Sequence, residues 1–217
     1  MKINIPAKLL FLCLHLLPVI NMNGQLITIE SSMRKDDGSS SLTKKDSTHL
    51  KPFSVDNFDK EISFKERTEI NFELVKAENI KELFSKHKYT WVFIQASGCG
   101  PCTNSLKKYI KTIDSLKTED IKIIVINQDI AVKQLQKKLF GENYNYQSYI
   151  LDPKIYGTVE FKKQEQFVKE ITNNAPMENY SANGVPVNLF FDQNGNLIYY
   201  NRANDLNTTV IKEIIVK

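Results

Sequence analysis

Apolar and polar residues divide this chain into three stretches of different character. Leu9 to Ile20 is a mostly apolar run that turns polar from Asn21 to Gln25. Ser31 to Asn57 shows almost no apolar periodicity and contains Lys35-Asp36-Asp37-Gly38-Ser39-Ser40-Ser41, the composition of a flexible tether or extension. From about Ile70 the pattern becomes regular. Ile70 to Val75 reads as a strand, and Glu78 to His87 carries Ile80, Leu83 and Phe84 at helical spacing. Trp91 to Ala96 is apolar except for Gln95, as expected of a strand buried on both faces. Leu106, Tyr109, Ile110, Ile113 and Leu116 then mark one face of an amphipathic helix. Ile121 to Ile126 predicts a second buried strand, and Val132 to Phe140 and Val159 to Ile171 predict helices. Val187 to Phe191 and Leu197 to Tyr200 predict strands joined through Asn194-Gly195, a strong hairpin signal. Leu206 to Val216 predicts a closing helix. Strands alternating with helices, then a hairpin and a helix, predict an α/β sandwich with a mixed central sheet.

The first segment, 1–24, is set apart by charge as well as by pattern. Lys2 and Lys8 precede an apolar core of 12 residues. Crossing a bilayer takes about 20. The pattern predicts a secretory signal peptide ending near Gly24, hence an extracytoplasmic protein, periplasmic or secreted. Contact with a membrane is expected only if that segment stays uncleaved. Cys13 lies within it, without the small residues of a lipoprotein box. Loss of Lys2 and Lys8 takes the formal net charge from +4 to +2. Interleaved charges of both signs predict a solvated surface and no nucleic-acid partner. Residues 25–69 are predicted to be a polar extension or linker, and 70–217 the folded domain.

Processing leaves two cysteines, Cys99 and Cys102. Random placement would put two cysteines three residues apart only about 1% of the time, so the spacing carries information. The pair stands where a buried strand meets a helix, in Ser97-Gly98-Cys99-Gly100-Pro101-Cys102. Unpaired N–H groups and the positive end of the helix dipole favour thiolate there. Cysteines so placed have pKa values of roughly 3.5–7.5 instead of about 8.5. Cys99 is therefore the predicted attacking thiol, and Cys102, one helical turn on, the resolving one. Gly100 permits a tight turn, and Pro101 suits a first helical turn.

Two other chemistries fit a cysteine pair. A structural bridge is one, but a four-residue ring contributes about 1.9 kcal/mol by loop entropy, against about 4.7 for a 100-residue loop. A zinc site is the other, but it needs about four ligands, and only His49 and His87 could join the two thiols.

The stretch from Trp91 to Cys102, ending in Cys-Gly-Pro-Cys, resembles the active-site strand and loop of the thioredoxin superfamily. Gly184-Val185-Pro186-Val187 before the hairpin resembles that family's cis-proline loop. The resemblance covers roughly residues 70–217. It implies a thioredoxin-like three-layer sandwich and a cis Pro186 packed against the disulfide. Val185 would offer backbone hydrogen bonds to a substrate peptide, and Gly98, Gly100 and Pro101 would flank it. The interval from Cys102 to Pro186 exceeds what a minimal thioredoxin domain needs. Tyr144 to Pro153 and the following helix resemble the insertion of exported thioredoxin-like and peroxiredoxin-like branches, placed between the active-site helix and the cis-proline strand. Ala96 stands where peroxiredoxins carry a threonine, which argues against peroxidase activity.

The sequence also departs from the family. Gly98 replaces a frequent aromatic residue, and Phe93 stands where thioredoxin has a buried acid. Thr103, Asn104 and Ser105 stand where the reductases of cytochrome maturation often carry a glutamate. No proton acceptor for Cys102 is legible. Fewer negative charges beside the thiolate favour a potential above the value of about −270 mV of thioredoxin. The expected activity is thiol–disulfide exchange with protein disulfide or dithiol substrates. It would use no cofactor beyond the dithiol and would be reset by an envelope redox partner. The competing expectations are a non-catalytic thioredoxin-fold binding module with a structural Cys99–Cys102 bridge, and a metallochaperone using both thiols.

Overall fold

Buried apolar strands need cover on both faces, and amphipathic helices supply it. The structure, a computed structural model, describes residues 46–62, 70–102, 105–116, 120–142, 144–177, 184–202, 206 and 208–216. All fall within the unit Asp37–Lys217. The predicted signal peptide and most of the polar stretch lie outside the described residues. The strands are β1 (Leu50–Pro52), β2 (Phe72–Val75), β3 (Tyr89–Gln95), β4 (Ile121–Asn127), β5 (Ser148–Leu151), β6 (Val187–Asp192) and β7 (Leu197–Asn201). The helices are α1 (Ala77–Phe84), α2 (Ser105–Leu116), α3 (Val132–Gly141), α4 (Pro153–Tyr156), α5 (Glu160–Ile171) and α6 (Thr208–Val216).

The strands form one sheet in the order β1-β2-β5-β4-β3-β6-β7. Pairing is parallel from β1 through β3, and antiparallel from β3 to β6 and from β6 to β7. Alternation along the strands splits the core in two. Phe72, Trp91, Phe93, Ile123, Val125 and Phe190 lie on one face, under Leu106 and Tyr109 of α2, Leu135 and Leu139 of α3, and Ile211 and Ile214 of α6. Val92, Ile94, Ile124, Ile126, Leu189 and Phe191 lie on the other, under residues of α1, α4 and α5. The result is the expected α/β three-layer sandwich with a mixed sheet. Trp91 stacks on Phe190 at 4.5 Å and lies 4.5 Å from Tyr109.

The polar interruption at Gln95 pairs its amide nitrogen across the sheet. Its Nε2 donates to Asn127 Oδ1 at 3.1 Å, and Asn127 Nδ2 donates to Ser148 Oγ at 2.9 Å and to the Tyr149 carbonyl at 2.8 Å. A buried amide without such partners would cost about 1–3 kcal/mol.

The structure differs from the sequence reading in three places. Residues 46–62 were expected within the polar extension 25–69, yet Leu50–Pro52 adds a parallel edge strand to β2 and Phe58 is 2% exposed. Glu73 of β2 holds this segment by accepting from the Ser54 N–H at 2.9 Å and from Asn57 Nδ2 at 2.6 Å. Asp59 adds contacts with Lys122 at 2.9 Å and His87 at 3.1 Å. A few apolar residues without period are enough when polar side chains secure the rest. Second, Ser148–Leu151, inside the stretch read as an insertion, is a fully buried strand between β2 and β4. Third, Cys99 and Cys102 were expected in the first turn of a helix. Residues 97–102 instead form turns, and α2 spans Ser105–Leu116. Ser105 Oγ donates to the Pro101 carbonyl at 2.7 Å and the Ser105 N–H to the Cys102 carbonyl at 3.2 Å. The Ser105 N–H thus bonds three residues back and not four, the spacing of a tight turn.

Candidate functional site

Strand β3 delivers Ala96 and Ser97 into a tight turn. The Cys99 N–H donates to the Ala96 carbonyl at 3.2 Å, closing residues 96–99 on themselves. Ser97 is fastened twice to Asp129 Oδ2, by its N–H at 2.8 Å and its Oγ at 2.6 Å. Asp129 follows β4, and just before it the Gln128 N–H donates to the Gln95 carbonyl at 2.9 Å. The β3–β4 pairing thus extends one residue past the end of β4 and carries the carboxylate to the turn.

Cys99 and Cys102 form a disulfide. Cys99 is 9% exposed and Cys102 fully buried. The Cys102 N–H points at Cys99 Sγ, 2.9 Å away. An N–H so aimed would favour a thiolate on Cys99 once the bond is reduced. Phe93 and Tyr109, edge to face at 5.6 Å and both fully buried, belong to the same apolar cluster as the two cysteines. Gly98, Gly100 and Pro101 are exposed around the disulfide.

The second loop meets the first here. The Val185–Pro186 peptide is cis, Pro186 is buried, and the Val185 carbonyl oxygen lies 3.7 Å from Cys99 Sγ. Gln164 of α5 supports this loop by donating from Nε2 to the Gly184 carbonyl at 3.2 Å. Gly184 has φ +128°, and a Cβ there would stand 2.9 Å from the Arg202 guanidinium, so the position takes only glycine without rearrangement.

Lys138 of α3 reaches the turn from outside the sheet, its Nζ 3.0 Å from the Ala96 carbonyl oxygen and 3.5 Å from that of Cys99. Burial pulls its pKa below the ordinary lysine value, against the opposing pull of Glu142 and Asp129. Lys163, 2% exposed, shifts the same way by burial, against Glu160 and Asp129.

The structure therefore brings Cys99, Cys102 and Val185 together and sets Gly98, Gly100, Pro101 and Pro186 around them. His87 lies against Asp59, and His49 closes a short 3-10 turn. No part for Asp129, Lys138 or Gln164 was legible in the sequence, whereas Ser97 and Gly184 stand within the two motifs without a role of their own.

No family model matches the chain, and no curated relative matches it. Solved structures do. The thioredoxin domain of a thiol-disulfide oxidoreductase from Bacteroides vulgatus is 21% identical, covers 60% of this chain and 81% of its own, and superposes with a TM-score of 0.41. A thiol:disulfide interchange protein from Bacteroides sp. is 18% identical over 76% of this chain and 91% of its own, with a TM-score of 0.45. The chain is also similar to a thiol:disulfide interchange protein of the thioredoxin family from Chlorobium tepidum, 13% identical over 60% of this chain and 82% of that one, with a TM-score of 0.44.

Proposed function

We propose that this chain is an exported thiol–disulfide oxidoreductase acting on protein disulfides through Cys99 and Cys102. The observation that carries the reading is the pairing of a more exposed Cys99 with the Cys102 N–H aimed at its sulfur 2.9 Å away. In the reduced protein the Cys99 thiolate attacks a substrate disulfide. A Cys99–substrate bond forms, the substrate S–S bond breaks, and the released thiolate takes a proton from water. Cys102 then loses its proton and attacks Cys99 Sγ, closing the internal disulfide and expelling the second substrate thiolate, which is protonated in turn. Two electrons and two protons pass to the substrate per cycle. Resetting takes a partner dithiol protein of the envelope, and a partner disulfide drives the reverse reaction. No cofactor enters the balance.

Val185, beside the sulfur, presents its backbone to an extended substrate segment, with Pro186 fixing the loop and Gly98, Gly100 and Pro101 leaving its approach open. The N-terminal segment supports export, where such partners operate.

Disulfide reduction is measured on insulin with a dithiol as donor. The wild-type chain should accelerate it, Cys99→Ser should abolish the acceleration, and Cys102→Ser should accumulate mixed disulfides that Cys99→Ser does not form. Equal trapping by the two variants would reverse the assignment of roles. An inert wild-type chain with an irreducible bridge would favour the structural alternative.

A further inference from the structure

The redox turn carries a positive charge that the exchange chemistry above does not use. Ala96 and Cys99 begin and end the turn, and the ammonium of Lys138 lies on the carbonyl oxygens of both, at 3.0 and 3.5 Å. The Ala96 carbonyl is also the acceptor that closes the turn on the Cys99 N–H. We propose that Lys138 is a positioning residue of the redox site, whose ammonium holds the Cys99 turn and stabilises the Cys99 thiolate, setting the dithiol–disulfide equilibrium. The proposal rests on the oxidoreductase reading and deepens it.

Three physical effects act together at Lys138. First, Lys138 has a reason to be where it is. It sits between Leu135 and Leu139, both fully buried on the core face of α3, and is itself half-buried. An ammonium placed there needs polar partners, and the carbonyls supply them. Second, the charge acts on one redox state more than the other. The disulfide carries no net charge, whereas the reduced site carries a thiolate at Cys99. A cation fixed on that residue's own carbonyl lowers the energy of the reduced form. It also offsets Asp129, whose carboxylate is fixed on Ser97 of the same turn and acts against the thiolate. Third, partial burial limits screening by water and salt, so the effect exceeds that of a surface lysine. The charged groups acting on Lys138 itself are Glu142 and Asp129, both buried.

The direction follows. A stabilised thiolate makes the dithiol easier to keep and the disulfide more oxidising. Lys138→Met should therefore raise the Cys99 pKa and shift the equilibrium with glutathione about tenfold toward the disulfide, which is about 30 mV more negative. Lys138→Arg should keep most of the wild-type value. Lys138→Gln keeps a donor for the Ala96 carbonyl but no charge, so it should fold and shift like the methionine variant. Lys169→Met, which removes a half-exposed surface lysine of α5 for the same change in net charge, should leave both quantities unchanged.

The processed wild-type chain and the four variants are equilibrated in glutathione buffers, and Cys99 is titrated by thiolate absorbance. A wild-type potential and Cys99 pKa in Lys138→Gln would overturn the proposal, as would an equal shift in Lys169→Met. Failure of the wild-type chain to exchange with glutathione at all would instead remove the oxidoreductase reading. The two failures are thus read from different proteins.

Discussion

Two turns close the ends of this sheet, and they are held in opposite ways. The hairpin between β6 and β7 is stabilised from within. Asp192 Oδ1 accepts from the Asn194 N–H at 2.9 Å and the Asn196 N–H at 2.8 Å, Oδ2 accepts from Asn196 Nδ2 at 2.9 Å, and Gly195 takes φ +80°. The turn that carries Cys99 is held from far along the chain, by Asp129, by Lys138 and by the loop at Val185. A self-sufficient turn can change only how stable the fold is. A turn whose conformation and charge are set by distant residues can have its chemistry tuned without rewriting its own sequence.

The most damaging test of this contrast is Asp129→Ala. It removes two short hydrogen bonds from Ser97 and leaves the Ser97 N–H without its acceptor. The loss should be about 2–3 kcal/mol of stability. It should also shift the Cys99–Cys102 potential, because Lys138 loses a counter-charge and the turn its anchor. Asp129→Asn keeps an acceptor and should cost less than half as much. Denaturant unfolding together with glutathione equilibration reads both effects. A stability loss with an unmoved potential would mean that Asp129 is only a strut, and the two turns would then differ less than they look.

The same contrast explains what the sequence disclosed. The hairpin was legible because Asn-Gly at a turn is local chemistry. Strands β3, β4 and β6 were legible because burial on both faces leaves a continuous apolar run. The Cys99–Cys102 pair and the Gly184-Val185-Pro186 loop were legible as short motifs, although nothing local says that 3.7 Å separates Cys99 Sγ from the Val185 carbonyl. Asp129 and Lys138 were not legible as parts of the site. Each is an ordinary polar residue until the fold carries it to the turn, 32 residues from Ser97 and 39 residues from Cys99. The edge strand at Leu50 escaped for a related reason. Three residues have no period to detect, and the partners that secure the segment, Glu73 and Lys122, lie on other strands.

A smaller effect is expected at the hairpin, from Gly195→Ala. The backbone there is left-handed, and a Cβ would stand 3.1 Å from the ring of Phe84, which is stacked on Phe191 at 4.4 Å. The variant should lose about 1–3 kcal/mol. Its insulin-reduction rate and potential should match the wild-type chain at temperatures where both are folded. A changed potential would show that strain at the hairpin is transmitted along β6 to the Val185 loop, and the separation of the two turns would fail.

The smallest effect is expected from the charge of Asp192, seen as a dependence of stability on pH. Partial burial acts to raise its pKa, but the hydrogen bonds from Asn196 and Asn194 outweigh it and hold the carboxyl below its ordinary 3.8. A group whose pKa is lower folded than unfolded contributes stability that is complete above the unfolded value. That stability disappears as pH falls through the folded one. The difference in unfolding free energy between the wild-type chain and Asp192→Ala should therefore be level from neutral pH down to about pH 5, then shrink as the solution is acidified below the carboxylate range. The comparison between variants removes the other acids, which titrate equally in both. Because the side chain is largely solvated, the change should be a modest fraction of the neutral-pH difference. A difference that stays constant into acid would show that the oxygens of Asp192, and not its charge, hold the hairpin. The contrast would then sharpen: one turn would depend on hydrogen-bond geometry alone, and the other on charges brought from elsewhere in the fold.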